Sequence, residues 1–437
     1  MTDASTGTAT SSTEAGPSFE WWMLSNFAVG AGFSAFIALL IPPYVTETTD
    51  DVTASGVVMA VISLGAVLGP VLGSFADKYR AHRAVMCGGI LGMGLGFALF
   101  AGAAESSALF ALDAIILGVS VAAISAVAPV FVVGAGLSQG LEAKRMTYYS
   151  LMMPAGQVVG GVLTTAAVQA EWSFSNRFWL AAVVSALLFL AVLATSSGPE
   201  KRVHRVMDEA APSYDDAADG GKIGLSAVLW SAFGVFLLVS TLTSVANNGI
   251  NNQISNILPN VYGISESGTS TLIAVAGLLN IVLFFPAGRW MARSGAPAVY
   301  NAGLILRLGG ALGMALVGWL ASSAVIVAIA CMQLLYQGSP FARLAQPSTA
   351  VGFATFPAGA ANGWLIGCSA LGSFLGSVLG GVFADRWGFN SVNWMAAAAA
   401  AGSVLIALLF LLPKTRSKDA DAAAEPVPGA AAKAATA

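Results

Sequence analysis

Polar side chains that could bind a solute are concentrated in two of the apolar runs of this chain. In one of them, Asn247, Asn248, Asn251, Asn252 and Gln253 place five amides within seven residues. Amide groups both donate and accept hydrogen bonds, so the cluster suits a polyol, an amino acid or an organic acid. The alternative is a broken helix, in which the amides satisfy backbone groups that the break has freed.

The second cluster surrounds an arginine. Gln333, Tyr336, Gln337 and Arg343 follow helical spacing and fall on one face of a predicted helix. Arg343 lies well inside the apolar stretch, where a charge needs a partner or water. Because a guanidinium group matches the geometry of a carboxylate or phosphate, we predict that Arg343 binds an anionic solute. The alternatives are a structural salt bridge and an arginine whose side chain extends to the membrane surface.

Asp113 is the only acidic residue within the core of a predicted helix in the first half of the chain. A desolvated carboxyl group at this place could carry a coupling proton. It could equally be an anion near the start of its helix, where the helix dipole stabilises negative charge. Both interpretations remain open.

The composition explains why so few charges are available. Apolar residues make up 57% of the 437 positions and charged residues 9%, whereas soluble domains carry about 25% charged residues. Most of the surface is therefore expected to face lipid. The net charge of −3, with basic residues scattered over short loops, excludes nucleic acid as a partner, because phosphate binding needs a clustered basic surface.

Catalytic and cofactor motifs are not found in the sequence. The cysteines and histidines show no metal-ligand spacing, and there is no P-loop, so we expect no cofactor and an ion gradient as the energy source. Residues 136–140 fit the G-x-S-x-G pattern, but no strand precedes them and no membrane histidine could act as the base. We therefore expect that the protein is not an enzyme.

Apolar runs of about 20 residues predict twelve transmembrane helices. They are expected at 20–43, 55–76, 84–104, 107–133, 147–169, 177–197, 224–258, 269–290, 298–320, 323–350, 358–383 and 390–412. Lys and Arg are concentrated in alternate short loops, in the central polar stretch and in the C-terminal tail, which places both termini in the cytoplasm. The fold class predicted is an all-α, multi-pass protein of the cell membrane.

The longest internal polar stretch separates six helices from six. It divides the chain into a disordered cytoplasmic tail, a six-helix bundle, a cytoplasmic linker, a second six-helix bundle and a second disordered tail, at 1–18, 19–197, 198–222, 223–413 and 414–437. Each part has a composition that fits its role, since only the bundles contain long apolar runs. The chain therefore predicts two membrane domains joined by one linker.

Three patterns recur in the same order in the two bundles, which predicts pseudo-symmetry. The I-x-P-x-V of residues 41–45 recurs at 257–261, and the G-x-x-x-G-G of residues 156–161 recurs at 376–381. A proline followed five residues later by glycine occurs at Pro129 and again at Pro347. Parallel repeats with a binding site between them near the bilayer midplane are one known transporter plan.

The loop after the second predicted helix carries a family pattern. Gly73, Asp77, Lys78 and Arg83 belong to the sequence GSFADKYRAHR, which resembles the G-x-x-x-D-[RK]-x-G-[RK]-[RK] loop of the major facilitator superfamily. Arg80 replaces the second glycine, and the basic pair is displaced by one position. Residues 381–388 match the pattern letter by letter, but the predicted topology puts them on the outer side, so we interpret them as a turn that only resembles it.

The physical role of Asp77 can be argued without the family. A carboxylate at the cytoplasmic end of one helix can accept hydrogen bonds from the N-terminus of another helix that starts on the same side, as the helix predicted at 358–383 does. The contact would hold one conformation closed and break in the other. We therefore predict a gating role for Gly73, Asp77, Lys78 and Arg83; the alternative for Asp77 is a solvated loop charge.

The resemblance covers about residues 20–413 and implies a fold and transport, without a substrate. In the family, the first, fourth, seventh and tenth helices line the cavity, where both polar clusters fall, and the same argument adds Asn26 of the first helix. The implied function is a secondary active transporter of a small polar, anionic organic solute. It is expected to work by alternating access, coupled to a proton or another ion, as a monomer in a lipid bilayer.

Two other functions stay open. Residues 152–161 partly resemble a helix-5 pattern of exporters in the family, so proton-coupled efflux of a drug or metabolite is an alternative to uptake. A receptor that uses the same fold without transport is the second alternative.

Overall fold

The computed structural model describes residues 19–49, 52–102, 107–218, 230–321 and 323–411. The predicted disordered tails lie outside these residues, and so does the last part of the predicted linker. All regular elements in the described ranges are helices.

Twelve of these helices are long and apolar enough to cross a membrane, which confirms the predicted number. They are labelled α1 to α12 in chain order: Trp21–Thr49, 52–78, His82–Gly102, 107–133, Gln139–Gln169, Phe174–Thr195, Ala232–Tyr262, Glu266–Ser294, Ala296–Leu320, Val325–Phe353, Ala358–Trp387 and Asn390–Leu411. The largest differences from the sequence prediction are at the start of α7, which is at Ala232 rather than at residue 224, and at the start of α5, which is at Gln139 rather than at residue 147. The first two turns of α5 are polar, so they lie below the hydropathy signal that reveals a membrane span.

The repeated glycine pattern marks equivalent helix contacts in the two halves. In the first half, an ideal Cβ at Gly156 of α5 would lie 2.1 Å from the carbonyl oxygen of Phe27 in α1. In the second half, a Cβ at Gly376 of α11 would lie 2.4 Å from the carbonyl oxygen of Val245 in α7. Small residues let membrane helices approach closely, so α1 packs on α5 as α7 packs on α11.

A further helix, Ser197–Ala218, occupies most of the predicted linker; it is called the linker helix below. It packs against the ends of α3, α4 and α6, all of which belong to the first half. Arg80 forms an ion pair with Asp208 of the linker helix, and Arg202 of the linker helix lies 2.6 Å from the carboxylate of Glu20. The linker helix is therefore anchored to the first half.

Candidate functional site

The carboxylate of Asp77 joins the end of α2 to the start of α11. Its Oδ1 accepts a hydrogen bond from the backbone N–H of Gly359 at 3.2 Å, and its Oδ2 accepts one from Ala360 at 2.6 Å. The side chain is only 7% exposed. The first N–H groups of a helix have no partner within it and carry partial positive charge, so the carboxylate satisfies them. This is the contact expected from the sequence; its gating role stays a prediction.

Glycines allow α2 and α11 to approach each other at this place. An ideal Cβ at Gly73 would lie 2.0 Å from the carbonyl oxygen of Gly359, and one at Gly69 would lie 2.6 Å from that of Gly363. A larger residue at Gly73 would therefore push the start of α11 away from Asp77. The close approach and the carboxylate contact depend on each other.

The two halves also meet between α5 and α8. An ideal Cβ at Gly288 of α8 would lie 1.9 Å from the hydroxyl oxygen of Thr147 in α5, and the side-chain amide of Gln139 donates to the carbonyl oxygen of Met291 at 3.3 Å. Both this contact and the α2–α11 contact lie at the end of the bundle that the sequence predicts to be cytoplasmic. The structure therefore shows a conformation whose halves are joined at that end.

Two histidines that the sequence places far apart meet beside Asp77. The Nε2 atom of His82 lies 2.9 Å from Oδ1 of Asp77, and the His82 ring centroid lies 5.7 Å from that of His204 in the linker helix. Burial lowers the pKa of the His204 imidazole, which favours a neutral ring in this packing. The spacing of the two histidines in the sequence does not predict this cluster, although His82 occupies a position where the family loop carries a basic residue.

The other predicted gating residues have different surroundings. Arg83 donates to the carbonyl oxygen of Leu193 at 2.7 Å and to the hydroxyl of Ser196 at 3.2 Å, so it ties α3 to the end of α6. Lys78 is exposed, with its Nζ 5.4 Å from the ring centroid of Tyr79. The structure therefore brings Gly73 and Asp77 to the contact between the halves, while Arg83 stabilises the first half internally.

A buried ion pair supports the same end of the first half. The carboxylate of Glu20, which precedes α1, lies 2.8 Å from the guanidinium of Arg145 in α5. Arg145 is 3% exposed, so its charge needs this partner. The pair joins residues 125 positions apart, so no local sequence pattern predicts it.

Arg343 reaches from the second half to the first. It lies ten residues before the end of α10 at Phe353, which places it about 15 Å inside the helix end. Its side chain is exposed, and its Nη1 lies 3.6 Å from the sulfur of Met153 in α5. Among the described residues, no carboxylate lies within ion-pair distance of this guanidinium. Arg343 is therefore a cation at membrane depth, between the halves, without a fixed counter-ion.

The polar side chains that precede Arg343 on α10 form hydrogen bonds with each other and with α8. The amide of Gln337 donates to the side-chain oxygen of Gln333 at 3.2 Å, and Gln333 donates to the carbonyl oxygen of Leu272 at the same distance. The side-chain oxygen of Gln337 is buried without a partner, and Tyr336 packs partly buried beside the core of the second half. The side-chain oxygen of Gln337 is therefore an acceptor without a hydrogen-bond donor on this face of α10.

The amides of α7 divide into two groups. Asn248 donates to the hydroxyl of Ser373 at 2.8 Å, and Asn252 donates to that of Ser377 at 2.5 Å, so these two residues tie α7 to α11. Asn247 lines a small cavity inside the second half. Asn251 is half-buried and forms no hydrogen bond with the described side chains. The amides thus act partly as packing residues.

Asn26 and Asp113 lie inside the first half. Asn26 is 9% exposed, and its amide donates to the carbonyl oxygen of Tyr149 at 2.8 Å, so in this conformation it joins α1 to α5. Asp113 is 2% exposed, and its Oδ2 has no hydrogen-bond partner. Burying a carboxyl oxygen without a hydrogen-bond partner costs free energy of folding. This cost singles out Asp113 as a candidate functional residue.

Twelve apolar helices in two packed groups, with a cation between the groups, define a multi-pass membrane protein of the secondary-transporter class. The sequence matches the model of the Major Facilitator Superfamily over residues 22–357 and 237–435. The chain belongs to this family, whose members are transporters and not enzymes.

Solved structures show the same fold. The chain is similar to the proton:xylose symporter XylE bound to 6-bromo-6-deoxy-D-glucose, with a TM-score of 0.68, 12% identity, and coverage of 89% of this chain and 95% of that one. It is similar to the human organic anion transporter MFSD10 (TETRAN), with a TM-score of 0.68, 16% identity and coverage of 89% and 98%. FucP in its outward conformation gives a TM-score of 0.64, 15% identity and coverage of 88% and 97%. No curated protein matches the sequence.

Proposed function

We propose that this protein is a secondary active transporter of a small polar organic anion, driven by a proton gradient. Arg343 is the observation that carries the proposal. It combines membrane depth, exposure to the space between the halves and the lack of a carboxylate partner among the described residues. An isolated charge at such a depth costs several kcal/mol on most scales. A bound carboxylate or phosphate, with water in the empty state, offsets that cost.

The neighbours of Arg343 would select the rest of the solute. Gln337 offers an acceptor without a partner, and Asn251 lies on α7, which faces α10 within the second half. These groups suit hydroxyl or amino groups on the solute. The solute would therefore be bound by its anionic group at Arg343 and by its neutral polar groups at Gln337 and Asn251.

Transport would proceed by alternating access. The α2–α11 and α5–α8 contacts close one end of the bundle, and each includes a glycine at which the two helices approach closely. Two rigid halves, corresponding to residues 19–197 and 223–413, would rock around the Arg343 site. We propose the cell membrane as the location, with both termini in the cytoplasm, because Lys and Arg are concentrated in the loops and tails that this orientation places inside.

A thermal-shift screen tests the substrate class directly. The purified protein is heated with matched sets of carboxylates, phosphates, neutral polyols and cationic amines, because a ligand of the native state raises apparent stability. We expect the hits to be anions and to exchange in counterflow with reconstituted vesicles. Hits confined to cations or to apolar drugs would contradict the proposal and favour efflux of another substrate class.

The orientation gives a labelling prediction. In a variant without Cys87, Cys331 and Cys368, a single cysteine at Glu171 should react with an impermeant thiol reagent added to intact cells, whereas one at Arg205 should react only after lysis. Both positions are exposed, so a lack of reaction reflects the side of the membrane. The reverse pattern would overturn the proposed topology.

Proton coupling gives a second prediction. Asp113→Asn should abolish accumulation against a gradient but leave counterflow, which needs no net proton movement. Glu171→Gln, which removes an exposed acid, is the matched control and should transport normally. Uphill transport by Asp113→Asn with the wild-type pH dependence would assign the proton to another group.

A further inference from the structure

Arg307 lies in a small cavity within the second half, separate from the space around Arg343. Its side chain is 9% exposed. Its Nη2 donates to the hydroxyl of Ser339 at 2.8 Å, while its Nε has no partner. The cavity is enclosed by α7, α9, α10 and α12, so it belongs to one half alone.

The lining of the cavity offers hydrogen-bond donors next to apolar walls. Asn247 lies in the wall and forms no hydrogen bond with the described side chains. The hydroxyls of Thr243 and Ser403 lie 2.8 Å apart, and Thr243 also donates to the carbonyl oxygen of Val239. Thr243 therefore accepts from Ser403, whereas the Nε–H of Arg307 and the amide of Asn247 donate to no described residue. The remaining lining is aliphatic.

The charge in the cavity is not compensated by the protein. Among the described residues, no carboxylate lies within ion-pair distance of Arg307, since none of the ion pairs includes it. A water molecule could accept the free hydrogen bonds but would leave the charge. The cavity has room for about one water-sized occupant, which excludes a carboxylate of an organic solute.

We propose that this cavity binds a single small inorganic anion, such as chloride, as the counter-ion of Arg307. Two donors without partners, a positive charge, apolar walls and room for one small occupant match a halide, which accepts hydrogen bonds without directional preference. The ion would be a resident of the second half, distinct from the solute held at Arg343. This site does not depend on the proposed transport function.

Anion-dependent stability tests the site. The melting temperature of the purified protein is measured in sodium chloride and in sodium gluconate at equal ionic strength, for the wild type, Arg307→Met, Arg343→Met and Asn247→Leu. We expect chloride to raise the melting temperature of the wild type and of Arg343→Met in a saturable manner, by about 2 °C or more. Arg307→Met should show no chloride-specific rise in melting temperature. Asn247→Leu should need a higher chloride concentration than the wild type to reach half of the maximal rise.

Two results would overturn the halide site. Equal melting temperatures in chloride and gluconate for the wild type would show that only water occupies the cavity. A chloride response retained in Arg307→Met would place the anion elsewhere. If Arg307→Met does not fold, the weaker chloride dependence of Asn247→Leu decides the question, and an unchanged dependence counts against the site.

An independent observation concerns the ends of α2 and α11. Residues 73–80 and 381–388 share Gly, Phe, Ala and Asp at equivalent positions, followed by a basic and an aromatic residue. The rings of Phe75 and Tyr79 lie 4.8 Å apart, and those of Phe383 and Trp387 lie 4.9 Å apart. Both segments then continue through a residue with positive φ. The two segments are therefore equivalent in structure as well as in sequence, at opposite ends of the bundle.

The two aspartates differ in burial and in what they contact. Asp77 is buried against the start of α11, whereas Asp385 is exposed and forms no hydrogen bond or ion pair with the described residues. α2 starts at Val52, at the end of the bundle where α11 ends. The geometry points to Asp385 as the outer counterpart of Asp77, which binds the first turn of α2 when the outer end closes. This inference rests on alternating access.

The reaction rate of a buried cysteine distinguishes the role of Asp385 from that of Asp77. In a variant without the three native cysteines, Ala360→Cys reports opening of the α2–α11 contact, because Ala360 is 8% exposed here. Asp385→Asn should slow its reaction with a thiol reagent and lower transport, while adding Asp77→Asn should restore the reaction. Glu171→Gln is the control at the same end.

Transport by the wild type is measured in parallel, because it tests the proposed function separately from the role of Asp385. If the wild type transports and Asp385→Asn labels and transports like it, Asp385 has no role in closure. Faster labelling in Asp385→Asn would also contradict the inference, because it would mean that Asp385 stabilises the conformation seen here.

Discussion

Arg343→Lys should lower kcat/KM for the transported anion by at least about tenfold, and Arg343→Gln should lower it further. A charge-assisted hydrogen bond contributes about 1.5–3 kcal/mol, and lysine keeps the charge but loses the planar pair of donors. The effect should appear mainly in KM if the guanidinium binds the solute equally in the ground and transition states. Transport kinetics in reconstituted vesicles measure both constants.

The stability of the same variants distinguishes binding from structure. Arg343 is exposed and its recorded contact outside α10 is with a methionine sulfur, so Arg343→Gln should keep or raise the melting temperature without ligand. A structural salt bridge would give the opposite result, since removing one partner of a buried pair is strongly destabilising. Arg386→Gln removes an exposed arginine of α11 and should change neither kcat/KM nor the melting temperature. Normal transport by both Arg343 variants would refute the anion site.

Asp77→Asn should shift the conformational equilibrium away from the state described here by roughly one to two orders of magnitude. The asparagine keeps one acceptor but loses the charge that binds two N–H groups of α11 and faces His82, and such bonds contribute about 1.5–3 kcal/mol. The variant should express and bind solute, yet transport slowly. A cysteine at Ala360, in a variant without native cysteines, should react faster with a thiol reagent.

The control for the gate lies in the linker helix. Glu209→Gln removes an exposed acid whose contact with Arg205 spans 3.9 Å, and it should leave transport and labelling unchanged. Asp77→Glu keeps the charge on a longer side chain and should have an intermediate effect. Wild-type rates in Asp77→Asn would remove the gating role even though the hydrogen bonds exist.

The twelve helices could be predicted because hydropathy is a local property of the chain. The contact of Asp77 with the start of α11 could be argued as well, since orientation and helix ends follow from the same pattern. The linker helix was missed because it is polar. Its first residues, Ser197 to Glu200, carry the Ser-x-x-Glu spacing with an intervening proline that is typical of a helix start, and this signal would have found it.

The site could be predicted only in part, because a helical pattern shows which residues share a face but not which neighbour that face meets. Asn248 and Asn252 were grouped with the binding residues, yet their amides donate to serines of α11. The residues next to Arg307 in the sequence give no sign of the cavity that it lines, because the other walls come from three other helices. Partners such as His82 and His204 become neighbours only through tertiary packing.

The position of the linker helix sets the length of the tether between the halves. Because this helix is anchored to α3, α4 and α6, the chain between the first half and the start of α7 is short: it runs from Ala218 to Ala232. The 14 residue steps from Ala218 to Ala232 can extend to about 50 Å at most, which is an upper bound on the distance between the end of the linker helix and the start of α7. A cut within this segment would leave every hydrogen bond described above in place, so the two halves could be produced as separate chains that recognise each other through their own surfaces.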